Sequence, residues 1–462
     1  MRYLPNSPSD RAEMLKTLGK ESVEELFAGI PDELKLHRPL NLPGPLSEPE
    51  LIEFFEQAAS QSARDYLSLL GAGAYSHYRP VVIDALLLRG EFLTSYTPYQ
   101  PEISQGNLQA MFEFQTLIAQ LTGMEVANSS LYDGSTATNE AVLMAMRLTR
   151  REHVVTASTV HAEYRQVAQT YLQHQGVHLE TVPYTTSGQV DLAALDAAVN
   201  EQTAAVVVQS PNFFGALERW SEVAEIVHRR GAMLVAVVAE PLSLALVRPP
   251  AEADIVCGEA QSFGVPVAYG GPYVGFLATR EQFIRQMPGR LVGETHHTEG
   301  RRGYVLTLAT REQHIRREKA TSNICTSQSL MALNATIYLC LLGKRGLRAL
   351  AEQNLAKACY AAAELVKVPG ASIPFSAPHF NEFVVKVPGD AEDLLAALRE
   401  EKIIGGLHLD RFYPELTNHL LVCVTETAPK SALDRMVNVW QRFSQAAADR
   451  EAPAPSTVGY NR

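Results

Sequence analysis

The sequence predicts an α/β fold, with a large domain built on a mostly parallel sheet and a smaller C-terminal α+β domain. Apolar runs of strand length alternate with amphipathic segments between residues 153 and 287, a pattern typical of a parallel sheet covered on both faces. After residue 326 the chain becomes mostly helical, and strand-length runs then return between helices. This change of pattern favours a second, smaller domain.

Periodicity and turn residues place the elements of both domains. Apolar residues at three- and four-residue spacing predict a helix over Asn107–Thr122, and hydroxyl residues predict a helix from Ser135 to Thr149 with Ser135 or Thr136 as N-cap. The predicted strands of the large domain are His153–Ala157, Val177–Val182, Ala204–Gln209, Met233–Ala239, Asp254–Cys257 and Tyr273–Ala278. The predicted helices between them are His161–His174, Leu192–Val199, Arg219–Arg230 and Glu281–Met287. The smaller domain is predicted as helices Ser327–Leu342 and Gly346–Val366, strand Phe380–Val387, helix Ala391–Glu401, strand Leu420–Val424 and helix Ser431–Phe443.

The predicted domain organisation has four segments: an N-terminal arm over 1–60, the large domain over 61–326, the small domain over 327–448 and a mobile tail over 449–462. A chain of 462 residues is long enough for this division. Four prolines between residues 39 and 49 favour an extended arm, because proline interrupts helices and central strands.

Composition excludes several classes of function. The formal net charge of −11 argues against nucleic acid as the main partner. No stretch of about 18 apolar residues occurs, and the N-terminus has no apolar leader, so we expect no membrane association and a cytoplasmic location. The five cysteines have no metal-binding spacing and are expected to be mostly buried and reduced. Adjacent His296 and His297 cannot both bind one ion easily, so no metal site is predicted.

Gln261 is the most informative single residue. A parallel α/β chain can end a strand with a short polar loop that presents a lysine to pyridoxal phosphate, which needs that amine for its chemistry. The run from Ala253 to Pro266 has this frame, but Gln261 stands in it and no lysine does. The strand ending at Ala239–Glu240 also lacks the aspartate that commonly pairs with the pyridine nitrogen.

Three other segments are candidates for binding. The loop from Phe92 to Gly106 carries Tyr96, Tyr99 and Glu102 between prolines, which suits a small polar ligand, or else a loop held by its own hydrogen bonds. Gly134, Ser135 and Thr136 open a helix and form either a phosphate cradle or a simple cap. The segment from Lys319 to Ser327 is rich in small polar residues and follows several arginines.

The residues that name a family are Ser95–Gly106, Phe114–Thr116 with Leu121–Gly123, and Glu318–Thr326. Together they resemble glycine dehydrogenase (decarboxylating), the P-protein of the glycine cleavage system, from Tyr3 to about Phe443. Within that family the chain resembles the N-terminal half, or α subunit. The resemblance implies a fold-type-I pyridoxal-phosphate transferase-like fold and a pyridoxal phosphate bound covalently by a partner β subunit, subunit 2.

The resemblance also implies the reaction and the partners. In the family, glycine is decarboxylated and its aminomethyl group passes to the lipoyl arm of the H-protein, with release of carbon dioxide; the T-protein and L-protein complete the system. Active sites of this fold type form between subunits. Tyr96, Tyr99 and Glu102, with Thr321, Ser322 and Asn323, are therefore expected to face the partner's cofactor or glycine, and Gly134–Thr136 to be a vestigial cradle or a cap.

Two alternatives stay open. The chain could be an independent pyridoxal enzyme that uses Lys319, although this lysine lies in a charged stretch where nothing desolvates it. It could also be a non-catalytic scaffold or regulatory subunit.

Overall fold

The computed structural model describes residues 5–451, and this part of the chain divides after Arg64 into two compact units. The helices are α1 (Pro8–Thr17), α2 (Glu48–Ser60), α3 (Val82–Leu87), α4 (Gly90–Leu93), α5 (Gln105–Thr122), α6 (Gly134–Thr149), α7 (Ala162–Leu172), α8 (Leu192–Ala198), α9 (Trp220–Arg229), α10 (Gln313–Arg316), α11 (Ser329–Leu365), α12 (Ala391–Glu400) and α13 (Lys430–Glu451). The strands are β1 (Leu67–Ser68), β2 (Val126–Ala127), β3 (His153–Ala157), β4 (His178–Val182), β5 (Thr203–Gln209), β6 (Met233–Val238), β7 (Ile255–Glu259), β8 (Gly275–Thr279), β9 (Leu291–His296), β10 (Arg302–Thr307), β11 (Glu382–Lys386), β12 (Ile403–Ile404), β13 (Leu407–His408) and β14 (His419–Cys423).

The first unit contains α1 and α2. Each helix begins with a capping box, in which a serine and an acidic residue three positions later bond to each other's backbone. None of residues 5–64 is buried. Helix α2 was not predicted, because Pro49 was expected to interrupt a helix. In the structure Pro49 lies in the first turn of α2, where proline is favourable because the backbone N–H that it lacks would have no partner within the helix.

A seven-stranded sheet in the order β2-β8-β7-β6-β5-β3-β4 forms the centre of the second unit. The five strands from β7 to β4 are parallel, and β8 is antiparallel to both of its neighbours, β7 and β2. Every residue of β3, β5, β6, β7 and β8 is buried, as expected for strands covered on both faces. The mostly parallel sheet is therefore confirmed, with strand bounds within two residues of the predicted ones.

A second hydrophobic cluster lies around the antiparallel sheet β11-β14-β13 and helices α12 and α13. Gly343, with a φ of +56°, interrupts α11 between the two helices that the sequence predicts there. The predicted tail begins inside α13, and residues 452–462 lie outside the described part of the chain. The boundary between a large and a small domain near residue 326 stays a prediction.

Three local features differ in detail from the prediction. The N-cap of α6 is Asp133 rather than Ser135 or Thr136, because its carboxylate accepts the Thr136 N–H at 2.7 Å. The segment Glu281–Gln286 is a 3-10 helix. The antiparallel hairpin β9–β10 was not predicted, and His296 ends its first strand. Over the described residues, the helices are all too short or too polar to cross a membrane.

Candidate functional site

The carboxyl ends of β3, β5, β6 and β7 meet at one edge of the central sheet, where open α/β sheets bind their ligands. We call this region the strand-end crevice. It consists of the polar side chains that follow these strands and the chain segment near residue 75 that covers them. The buried polar residues that follow the strands are His161, Gln209, Glu240, Glu259, Gln261 and Ser262.

Gln261 is a structural residue in this crevice. Only 1% of it is exposed. Its Oε1 accepts the Tyr75 backbone N–H at 2.8 Å, and its Nε2 donates to the Tyr75 carbonyl at 2.9 Å and to the Val265 carbonyl at 2.7 Å. Both amide hydrogens and the carbonyl oxygen are thus used, as buried polar groups require. The side chain joins the covering segment to the strand-end loop and offers nothing to a ligand.

The predicted phosphate cradle is filled by carboxylates of the chain itself. Glu259 Oε2 accepts the Gly134 N–H at 2.9 Å, while Asp133 Oδ1 accepts from the Thr136 N–H and the Ser135 hydroxyl, both at 2.7 Å. Burial raises the pKa of Glu259 to about 7, partly offset by its hydrogen bonds from backbone N–H groups. The positive end of α6 is therefore already paired with negative groups.

The tyrosine ring of Tyr164 closes the same place. It stacks on His161 with ring centres 4.5 Å apart. A Cβ on Gly134 would lie only 2.2 Å from the Tyr164 hydroxyl oxygen, so only glycine fits at the start of α6. The approach of ring to backbone leaves no room there for a phosphate group.

A buried ion-paired histidine occupies the end of β6. His77 places Nδ1 2.8 Å from Glu426 Oε2 and Nε2 3.3 Å from Glu240 Oε2, and 2% of its side chain is exposed. Burial lowers the pKa of His77, but the carboxylates Glu240 and Glu426 outweigh it and raise the pKa to about 9. Glu240 also accepts from the Ser262 hydroxyl at 2.8 Å. No free acid remains at this strand end among the described residues.

These observations test whether the crevice fits pyridoxal phosphate, and it does not. The cofactor needs a lysine amine, an anion site for its phosphate and an acid for its ring nitrogen. The crevice has instead a Gln261 amide that is already hydrogen-bonded within the chain, two carboxylates at the N-terminus of α6, and a Glu240 carboxylate paired with His77. A phosphate beside Asp133 and Glu259 would meet like charge.

The remaining predicted site residues lie on two surface segments, 95–106 and 319–327, which we call the outer loops. Tyr96, Tyr99, Glu102 and Asn323 are exposed, and Thr321 and Ser322 are half-buried. The structure does not bring them into one cavity. Tyr96 borders a cavity of about 110 Å³ beside α5, and Glu102 borders another of about 620 Å³ beside the β9–β10 hairpin.

Thr321, Ser322 and Asn323 border a third cavity, of about 590 Å³, between the second outer loop and α6. Glu140 of α6 lines it and is 2% exposed. Burial raises the pKa of Glu140, and a hydrogen bond with Ser322 opposes that rise. This part of the second outer loop therefore has a polar, recessed floor.

Arg290, which was not predicted as a site residue, connects the two outer loops. Its Nη2 donates to the Cys325 carbonyl at 3.1 Å and lies 3.5 Å from the Tyr99 hydroxyl. Its guanidinium also lies over the Tyr99 ring, 5.8 Å from the ring centre. Only 5% of Arg290 is exposed. No spacing in the sequence links Arg290 to residues 99 and 325, so the sequence gives no signal for its role.

Other candidates lie away from the crevice. Lys319 is exposed on a short 3-10 helix. Arg311 donates to the backbone carbonyls of Met287 and Gly289, so it has a structural role. The expectation of buried cysteines is wrong for Cys325, Cys340 and Cys359, which are exposed, and holds for Cys257 and Cys423.

Comparisons with known proteins place this geometry in a family. The family model of the glycine cleavage system P-protein matches residues 1–440. A protein of Koribacter versatilis, named "Probable glycine dehydrogenase (decarboxylating) subunit 1", is 57% identical over 436 residues, which cover 94% of this chain and 98% of that protein.

Two solved structures agree with this. The crystal structure of a glycine decarboxylase (P-protein) of the glycine cleavage system, in inhibitor-bound form, is 45% identical with a TM-score of 0.86, covering 96% of this chain and 100% of that one. A glutamate decarboxylase of Lactobacillus brevis, at 13% identity and a TM-score of 0.68, covers 91% of this chain and 97% of that one and shows the fold alone. The fold-type-I prediction is confirmed, and the chain belongs to the glycine cleavage system P-protein family.

Proposed function

We propose that this chain is the lysine-lacking subunit of a two-subunit glycine decarboxylase that acts in the cytoplasm. Together with subunit 2 it decarboxylates glycine and passes the aminomethyl group to the lipoyl arm of the H-protein, releasing carbon dioxide for a system that the T-protein and L-protein complete. The pyridoxal phosphate is bound covalently by subunit 2. The observation that carries the proposal concerns the strand-end crevice. There the amide of Gln261 and the carboxylate of Glu259 are already hydrogen-bonded to the backbone of this chain.

The names of the relatives support the two-subunit part of the proposal, since "subunit 1" implies a second subunit. Exposure supports it independently. Within the second unit, most of the exposed large apolar side chains lie between residues 78 and 103, where Val81 and Ile103 are each 81% exposed and Tyr96 is 78% exposed. Exposed apolar patches of this kind mark protein interfaces. The first outer loop thus belongs to the surface that meets subunit 2.

In this arrangement the outer loops form one wall of the partner's active site. Tyr96, Tyr99 and Glu102 orient glycine or the cofactor, and Thr321, Ser322 and Asn323 support the same wall. Arg290 is a positioning residue, because it holds Tyr99 and the carbonyl of Cys325 in fixed relation from a buried position. The chain's contribution is to bind, orient and exclude water, which requires polar groups on a stiff backbone.

The test compares the full chain alone with the chain reconstituted with subunit 2. Each sample is incubated with pyridoxal phosphate, reduced with borohydride, and digested to locate the modified lysine. We expect specific labelling on subunit 2 and none above a free-lysine background on this chain, and glycine–bicarbonate exchange only in the mixture. Stoichiometric labelling of this chain, at Lys319 or elsewhere, would overturn the proposal.

A further inference from the structure

A second cluster of side chains with ligand chemistry lies at the opposite end of the parallel strands. His153 is the first residue of β3, and His178 is the first residue of the neighbouring strand β4. The parallel register places these two residues directly opposite each other. Glu180 follows His178 by two positions, so it lies on the same face of β4. Strand pairing therefore brings two imidazoles and one carboxylate together.

The distances suit a metal ion. One ligand atom from each of the three residues lies within 4.8 Å of the others. His153 Nε2 is already 3.1 Å from Glu180 Oε2. Because zinc binds nitrogen and oxygen ligands at about 2.0–2.2 Å, ligand atoms around it stand about 3–3.5 Å apart. The first pair already has that separation, and exposed His178 is placed to complete it by a small rotation of its ring.

The surroundings support His153 as a ligand. Its ring is 9% exposed and stacks on the His178 ring, with centres 5.2 Å apart and planes 17° from parallel. Its second nitrogen, Nδ1, lies 2.9 Å from the Thr203 hydroxyl, which can accept the proton of Nδ1 when Nε2 binds the ion. Ligating histidines are usually oriented by such a partner on the other ring nitrogen. His178 and Glu180 are more open, which gives an ion a path from solvent.

We propose that His153, His178 and Glu180 bind one divalent transition-metal ion of the zinc type, with water completing the coordination. Two histidines and a carboxylate form a ligand set that zinc uses with a fourth, open position. The ion would tie β4, the edge strand of the central sheet, to β3. The sequence predicts no metal site because the ligands on the two strands are as far as 27 positions apart along the chain.

The test is a titration of the full-length chain with Zn²⁺, after alkylation of exposed cysteines, followed by calorimetry, with Co²⁺ absorption as a second readout. We expect one ion per chain at this site and a tetrahedral or five-coordinate Co²⁺ spectrum. His178→Ala removes an exposed ligand without disturbing the buried core, and should weaken binding at this site at least about tenfold. Glu180→Gln keeps the side-chain shape and should weaken binding to a smaller extent.

The matched control is His228→Ala, which removes an exposed histidine that has a carboxylate neighbour, Asp254, and is not one of the three ligands. Binding should be unchanged in this variant, and Zn²⁺ should raise the thermal midpoint of the wild type and of the control more than that of His178→Ala. Equal stoichiometry and affinity in the wild type and His178→Ala, or no binding to the wild type, would overturn the proposal and leave a stacked histidine pair with a local ion pair.

Discussion

The strand-end crevice and the outer loops contain similar polar residues but use them in opposite ways. In the crevice, Gln261, Glu259 and His77 are buried and bonded to the chain itself. In the outer loops, Tyr96 and Glu102 are exposed. The difference shows that a chain can have the fold of cofactor-binding enzymes while the polar groups at its strand ends serve only its own structure. Variants in the crevice should therefore affect stability first, and variants in the outer loops should affect activity first.

The largest expected effect is that of Gln261→Ala. The change leaves the Tyr75 N–H and two carbonyls buried without partners, each of which costs about 1–3 kcal/mol. We expect the free energy of unfolding to fall by about 3–5 kcal/mol, measured by urea denaturation. Gln115→Ala is the matched control, because Gln115 pairs in the same two-sided way with Val292 but is only half-buried. An equal loss in both variants would contradict the special role of the crevice.

The ion-paired state of His77 should contribute about 2–3 kcal/mol to the free energy of unfolding, and this contribution should depend on pH. Its folded pKa of about 9 exceeds its ordinary value of 6.5, so its stabilisation is complete below pH 6.5 and is lost as the pH rises through 9. Buried Glu259 and Glu382, with pKa values near 7, also favour lower pH, but their contribution changes mainly below pH 7. Burial also raises the pKa values of the Cys257 and Cys423 thiols, so these lose stabilisation over the same range, and the histidine is isolated by the difference between the wild type and a His77 variant from pH 7.5 to 9.5.

His77→Gln provides the check on that assignment. The variant cannot carry the charge, so its free energy of unfolding should fall less steeply than that of the wild type between pH 7.5 and 9.5, and the slope that remains belongs to groups such as the two buried thiols. His228→Gln, in an exposed pair with Asp254, should keep the slope of the wild type. A wild-type slope that persists in His77→Gln assigns the titration to another group.

Arg290 is buried like the crevice residues but contacts the outer loops, so Arg290→Lys should affect both stability and activity. A lysine keeps the charge but cannot reach Tyr99 and the Cys325 carbonyl in the same geometry. We expect the free energy of unfolding to fall by about 1–2 kcal/mol and glycine–bicarbonate exchange of the reconstituted complex to fall roughly tenfold. Exchange that stays at the wild-type rate, with unchanged KM for glycine, while the free energy of unfolding falls would contradict a positioning role.

The smallest effect on stability is expected for Glu102→Gln. The residue is exposed, and surface substitutions usually change the free energy of unfolding by less than about 0.5 kcal/mol. Exchange activity with subunit 2 should nevertheless fall about tenfold or more if Glu102 faces the bound glycine. Glu113→Gln on α5, also an exposed glutamate, should leave both properties unchanged. Unaltered exchange in Glu102→Gln would favour a purely scaffolding subunit.

The sequence predicts the central sheet well because its strands are continuous apolar runs. It misses the β9–β10 hairpin because seven of the twelve strand residues are polar or glycine and most are partly exposed, so neither strand has the alternation of a half-buried one. The absence of a lysine at residue 261 is readable from the sequence. The occupation of the crevice by the chain's own side chains cannot be read from the sequence. It depends on contacts such as that of Gly134 with Glu259, which are 125 positions apart.

The pairing of Gln261 with the backbone of Tyr75 has a consequence for the history of the gene. Glutamine codons differ from lysine codons by a single base, so a change of Gln261 to lysine needs only one mutation. A lysine at position 261 would lie against the Tyr75 backbone and near the carboxylate of Glu259. Several other residues would have to change to accommodate it. A single change to lysine would therefore not give the crevice an anion site or a free acid for the ring nitrogen, which pyridoxal phosphate also needs.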